Sequence, residues 1–142
     1  MAHRHEVQEQ IEIVFGELWR RPRLSGLHRG FRPNLDSYHT DDPNELIVVV
    51  EVPGIDPNSL AIAVSGRVLV IAGERTRAKA GGRVYQQMEI EYGPFERRVR
   101  LAEDVDPEGA RAVYDRGVVT ISLSVTGRPG SGGDHTIIVE AE

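Results

Sequence analysis

Alternation of apolar and polar residues with a period of two, broken at short intervals by turn-forming pairs, most narrows what this chain can fold into. Leu46, Val48, Val50 and Val52 alternate with Ile47, Val49 and Glu51. Because both faces of that run are largely apolar, it reads as an interior strand. Leu60, Ile62 and Val64 alternate with Ala61 and Ala63, and Val68, Val70 and Ala72 with Leu69, Ile71 and Gly73. Val119, Ile121, Leu123 and Val125 alternate with Thr120, Ser122 and Ser124, the pattern of a strand with one wet face. Between the runs lie Pro53-Gly54, Asp56-Pro57-Asn58, Ser65-Gly66, Asp106-Pro107 and Arg116-Gly117, each a turn signal. Short strands at this spacing, with no long helical pattern between them, predict an all-β, immunoglobulin-like antiparallel β-sandwich of about seven or eight strands over residues 33–125.

One stretch inside that region breaks the rhythm. From Arg75 to Tyr92 the chain is charged and interrupted by Gly81-Gly82. A loop that long in a compact domain is functional or carries structure of its own. Val84 to Glu91 has some strand character, with Tyr85 and Met88 free to pack, so a projecting arm is expected here.

The flanks differ from the middle. In residues 1–32, Ile11, Val14, Phe15, Leu18 and Trp19 fall at i, i+3, i+4, i+7 and i+8, one stripe of a helix that Pro22 should end near Arg20. That stripe packs either on the domain's own core or on other subunits and clients. In residues 126–142, the Gly-rich run Gly127-Arg128-Pro129-Gly130-Ser131-Gly132-Gly133 reads as a flexible tether, followed by Thr136-Ile137-Ile138-Val139-Glu140. Apolar residues so close to a chain end predict a docking segment, since a free end frays and exposed Ile and Val cost solubility. Extended, it turns Ile137 and Val139 one way and Ile138 the other, which suits insertion at a sheet edge. A further strand of the chain's own sandwich is the other placement the tether permits.

Composition excludes several classes. The formal net charge of −5 over 142 residues supplies no positive field to attract nucleic acid, although Arg20, Arg21 and Arg23, with Arg29 and Arg32, could touch an acidic surface. Cysteine is absent, so disulfides and thiolate chemistry are out. No run is long and apolar enough to span a bilayer, and the polar start Met1 to Gln10 does not read as a signal peptide, so a cytoplasmic protein without membrane association is expected. There is no phosphate-binding Gly loop. Of the five histidines only His3 and His5 are adjacent enough to suggest a ligand pair, and Glu89 with Glu91 or Asp41 with Asp42 reads as solvated surface. No enzyme, cofactor or metal site is expected.

Five segments in order resemble the α-crystallin domain of small heat shock proteins: Glu51-Val52-Pro53-Gly54; Val68 through Gly73-Glu74-Arg75; Tyr92-Gly93-Pro94-Phe95-Glu96-Arg97 through Leu101; Ala112 through Gly117-Val118-Val119-Thr120; and Ile137-Ile138-Val139. Each is weak alone; together, at these spacings, they are specific. Ala102 stands where the family usually has Pro, and Val119 where it usually has Leu. The resemblance implies that Val84 to Glu91, with Tyr85 and Met88, is a swapped strand of the bacterial and plant type. It would pair with a partner's first strand near Leu35 and Tyr38, with Arg97 at the dimer interface. It implies Ile137 and Val139 as an oligomer anchor, received in a groove between Leu60, Ile62 and Val64 and the strand around Val113. It implies client binding by the Ile11–Trp19 stripe. The function so implied is an ATP-independent holdase that binds itself and unfolding clients. A monomeric interaction module of the p23 co-chaperone type is the competing reading, and a hydrolase built on an unrecognised carboxylate pair a distant third.

Overall fold

A computed structural model describes residues 30–127 and 134–142. Seven strands come from the period-two region: β1 (Leu35–Asp41), β2 (Asn44–Glu51), β3 (Ala61–Ser65), β4 (Val68–Arg75), β5 (Gly93–Arg100), β6 (Val105–Asp115) and β7 (Val118–Val125). The tail adds β8 (Asp134–Ile137) and β9 (Val139–Ala141). They form two sheets, ordered β1-β2-β7-β6-β9 and β5-β4-β3-β8. Among the described residues there is no α-helix, only a short 3-10 turn at Pro57–Ser59. Asp56 caps that turn by accepting from the Asn58 amide at 3.0 Å.

The alternation dictates the packing. β2 lies between β1 and β7, with Leu46 opposite Leu123, Val48 opposite Ile121 and Val50 opposite Val119. Partners across a ladder face the same way, so all six point inward, where they are buried. From the other sheet Ile62 opposes Ile71 and Val64 opposes Leu69, also fully or nearly fully buried, and the two sets form one core. Ile47, on the opposite face of β2, is buried as well, which is why this run is apolar on both faces. Ala61, Ala63 and Val70 make a second small cluster on the outer face of the β3–β4 pair.

Two turns are held by specific contacts. Gly117 has φ 84°, and a Cβ there would sit 3.1 Å from Pro53 Cβ and 3.2 Å from Pro53 Cα. The same turn accepts the Val52 amide on the Gly117 carbonyl at 2.8 Å. Pro53-Gly54 and Gly117 thus lock face to face, two motifs far apart in sequence meeting at backbone contact. At Ala102, Arg67 substitutes for the rigidity a proline would bring. Its Nη1 donates to the Ala102 carbonyl at 3.2 Å, its carbonyl accepts the Leu101 amide at 2.7 Å, and its fork grips Asp104 with two bonds of 3.2 Å.

The structure departs from the expectations in two places. The sheets are not wholly antiparallel: β9 runs parallel to β6, because it reaches that strand from the opposite sheet after β8 and does not return through a hairpin. Val84 to Glu91 forms no strand; both its faces meet solvent, and a strand needs a ladder partner that the single chain does not supply. Of the two placements open to the tail, the single chain shows its own sandwich: four and three of its residues join the two sheets. The predicted helical stripe Ile11–Trp19 lies outside the described residues.

Gly117→Ala should destabilise the domain by about 1–3 kcal/mol, through left-handed strain and contact with Pro53. In thermal melts that lowers the midpoint by about 4–8 °C per kcal/mol. Gly54→Ala, equally left-handed at φ 72° but with open space around the new Cβ, should cost less. Equal costs would show that the Pro53 contact is unimportant. The bidentate bond from Arg67 holds Asp104 below the usual carboxylate value, so its contribution is present above about pH 4 and fades as pH falls through the lowered value. Melts of Arg67→Gln against the parent should therefore differ at neutral pH and converge in acid.

Candidate functional site

A sandwich of this order has two open sides, one bordered by β1 and β5 and one bordered by β3 and β6. The tail fills the second. β8 pairs with β3, setting Ile137 opposite Ile62, Thr136 opposite Ala63 and His135 opposite Val64. After one residue the chain crosses to the other sheet, where Val139 pairs with Ala112 and Ala141 with Tyr114. Alternation does the rest. Ile137 is 3% exposed and belongs to the core cluster, Val139 packs against it, and Ile138 between them stays 37% exposed. The Glu142 amide closes the strand on the Tyr114 carbonyl at 3.0 Å.

The groove is therefore lined by Leu60, Ile62 and Val64 on one wall, all within the same core as Ile137. On the other wall the register separates Val113 from the rest. Val113 opposes Thr120, whose strand face is the polar one, whereas Ala112 opposes buried Ile121 and Tyr114 opposes buried Val119. Ala112 and Tyr114, not Val113, face Ile137 and Val139. A signal for this was present in the sequence: a two-residue turn at Arg116-Gly117 forces Asp115 opposite Val118 and so assigns every face of the hairpin. Fully burying an isoleucine side chain is worth about 1.5–3 kcal/mol, so Ile137, with the partly buried Val139, contributes on about that scale to holding the tail in place. Among the described residues the Nε2 of His135 is buried without a hydrogen-bond partner.

The opposite side is closed only at one end. Arg97 on β5 donates from Nη1 to the Pro33 carbonyl at 2.7 Å, linking the second sheet to the residues that lead into β1. Burial, with Arg32 nearby, pushes the Arg97 guanidinium below its ordinary value. Leu35 packs against the core at this edge, while Tyr38, opposite Ile47, stands exposed on the outer face. β1 pairs with β2 alone, which leaves its outer backbone edge without a strand partner among the described residues.

The arm leaves from the same side and packs on none of these residues within the chain. Val84 is 90% exposed, Met88 61% and Ile90 63%, and Tyr85 is also exposed. Val84, Met88 and Ile90 sit at even spacing, so an extended arm carries them on one face. Ile90 was not singled out from the sequence, although that same spacing included it. Hydrogen bonds from Arg83, at 3.5 Å from the hydroxyl, and from Arg77 hold the Tyr85 phenol below its ordinary value. The structure thus brings Ile137, Val139, Leu60, Ile62 and Val64 together. It sets Arg97 and Leu35 at a second edge, and leaves Val84, Tyr85 and Met88 unpacked. Among the described residues no group of three or more His, Asp or Glu side chains is placed to hold a metal ion, and no helix is long and apolar enough to cross a membrane.

Comparison with known proteins points one way. The model of the Hsp20/alpha crystallin family matches residues 38–140. A 19.0 kDa class II heat shock protein of Oryza sativa subsp. japonica is 38% identical over 85 residues, 55% of this chain and 49% of that protein. An alpha-crystallin of Mycobacterium tuberculosis is 35% identical over 108 residues, 70% of this chain and 72% of that protein. The chain spans about half the length of the rice relatives it matches. Among solved structures, a small heat-shock protein from Xylella fastidiosa, described as having a distinct high order structure, superposes with a TM-score of 0.59 at 27% identity. That match covers 74% of this chain and 99% of that one.

Proposed function

The chain belongs to the Hsp20/alpha crystallin family, and from that membership we propose that it acts as an ATP-independent holdase, assembling with itself and shielding partly unfolded proteins from aggregation. The observation that carries this reading is the tail: a short segment that buries Ile137 and packs the half-buried Val139 beside it between two sheet edges through seven strand residues. Contacts that few are compatible with exchange, and the same groove can receive the same segment from another copy. In this reading Ile137 and Val139 are the oligomer anchor. Leu60, Ile62 and Val64, with Ala112 and Tyr114 as the second wall, are its groove.

The arm extends the argument. Three apolar side chains held in water on one face of a segment without a ladder are costly in a monomer and useful in a dimer. The free outer edge of β1, near Leu35 and Tyr38, offers the backbone groups such a segment needs, with Arg97 bracing the edge from β5. The Ile11–Trp19 stripe would supply the client-binding surface, through non-directional hydrophobic contact that requires no nucleotide. High-order assembly of the Xylella relative agrees with self-association here. A cytoplasmic location fits the absence of cysteine. The placement of the tail on its own sandwich favours a second reading, a monomeric interaction module of the p23 type, in which β8 and β9 are permanent strands.

Mass measurement by size exclusion with light scattering separates the two, a large assembly being expected and a monomer supporting the module. Replacing Ile137 and Val139 together with Gly should reduce the assembly to dimers or small species, and deleting residues 84–91 should give monomers. An unchanged mass in the first case would mean that the tail serves only its own domain; in the second, that the dimer contact lies elsewhere. For activity, a stoichiometric amount of the protein should suppress heat-induced light scattering of an aggregating client without ATP. Undiminished scattering would sink the holdase reading.

A further inference from the structure

β4 ends at Arg75 and β5 begins at Gly93, and these two residues pair across the ladder. The 17 residues between them leave and return at one point, with no strand of their own. A flexible loop of that length samples many conformations, and ordering it needs contacts at its base. A single side chain gathers those contacts. The Arg75 guanidinium donates from Nε to the Glu91 carbonyl at 2.9 Å, and from Nη2 to the same oxygen in a short bond. Nη1 donates to the Pro53 carbonyl at 3.2 Å. Its flat face lies 3.6 Å above the centroid of the Phe31 ring and 5.6 Å from that of Tyr92.

What Arg75 rests on is itself rigid. Phe31 is buried edge-on against Phe95 at 5.4 Å, and its amide donates to the Tyr92 carbonyl. Phe95 is packed so tightly on Gly73 that a Cβ there would lie 3.0 Å from its ring. Arg77 continues the stack outward, over Tyr92 at 4.3 Å and Tyr85 at 5.1 Å. Only arginine combines a fork of donors for carbonyls with a face that stacks on an aromatic ring; lysine offers a point charge. Phe31 precedes β1, so one side chain joins the lead into β1, the Pro53 turn and the far end of the arm.

We propose that Arg75 is the positioning residue of the arm, a clasp that locks the far end of residues 76–92 to Phe31 and Pro53 so that Val84, Met88 and Ile90 are presented away from their own domain. This rests on the reading that the arm makes the dimer contact. The clasp itself predicts only that the arm loses its order when the guanidinium is removed.

Lys79 is the only lysine in the chain and lies within the arm, so a lysine-specific endopeptidase reports on arm order at a single bond. In full-length Arg75→Gln, compared with the parent at concentrations where both run as the same species, cleavage at Lys79 should accelerate about tenfold. Concentration-dependent mass should show a dimer weakened by about tenfold or more, the scale of one or two lost charged contacts. Phe31→Leu, which keeps an apolar residue but removes the ring, should give a smaller acceleration in the same direction. The thermal midpoint of Arg75→Gln should stay within a few degrees of the parent. An unchanged cleavage rate in both variants overturns the clasp. So does a fall in midpoint as large as that of Gly117→Ala, which would make Arg75 a support of the sandwich. Faster cleavage with an intact dimer leaves the clasp standing and removes the arm from the dimer interface.

Discussion

A sandwich of two open sheets has edges whose backbone donors and acceptors lack partners on one side, and a gap between the sheets that water or another chain can enter. How those edges are covered governs the rest of this structure. The interior needs little explanation: period-two apolar residues on β2, β7, β3 and β4 pack into a core, as alternation requires. The edges are where the chain does something less routine. On one side the tail lays a strand on each sheet and drops Ile137 and Val139 into the gap. On the other, Arg97 ties β5 to the residues that lead into β1, whose outer edge has no strand partner among the described residues.

These two sides have opposite character, and the contrast makes assembly a physical expectation. A bare edge beside an unpacked apolar segment is unfavourable in isolation and is relieved by pairing with another copy. An edge covered by the tail is satisfied, though by only seven strand residues. In the holdase reading proposed above, the first side would seek a partner and the cover of the second could be lifted, which would let an assembly form and loosen.

Several interactions hold together segments far apart in sequence, and they are polar or involve backbone contact. Arg67 rigidifies the Ala102 turn from 35 residues away, Gly117 admits Pro53 at van der Waals contact, and Arg75 ties Glu91 and Pro53 to the Phe31 ring. In each case an arginine fork or a missing Cβ lets backbone be approached closely. The turns and the base of the arm are therefore set by directional contacts, while the core is set by burial.

By itself the sequence determined the strands β2, β3, β4 and β7, the turns that bound them, their inward and outward faces, and the tail as a segment with Ile137 and Val139 on one side. All of this follows from local alternation and turn chemistry, which act between near neighbours. The ordered motifs also identified the family. Tertiary structure alone decided that the tail crosses from one sheet to the other and runs parallel to β6, so that Ala112 and Tyr114 meet it, and that residues 84–91 carry no strand. The physical reason is that a ladder belongs to two strands. Alternation shows that a segment can pair and which side chains it would bury, but not which edge it will meet, nor whether any partner is within reach.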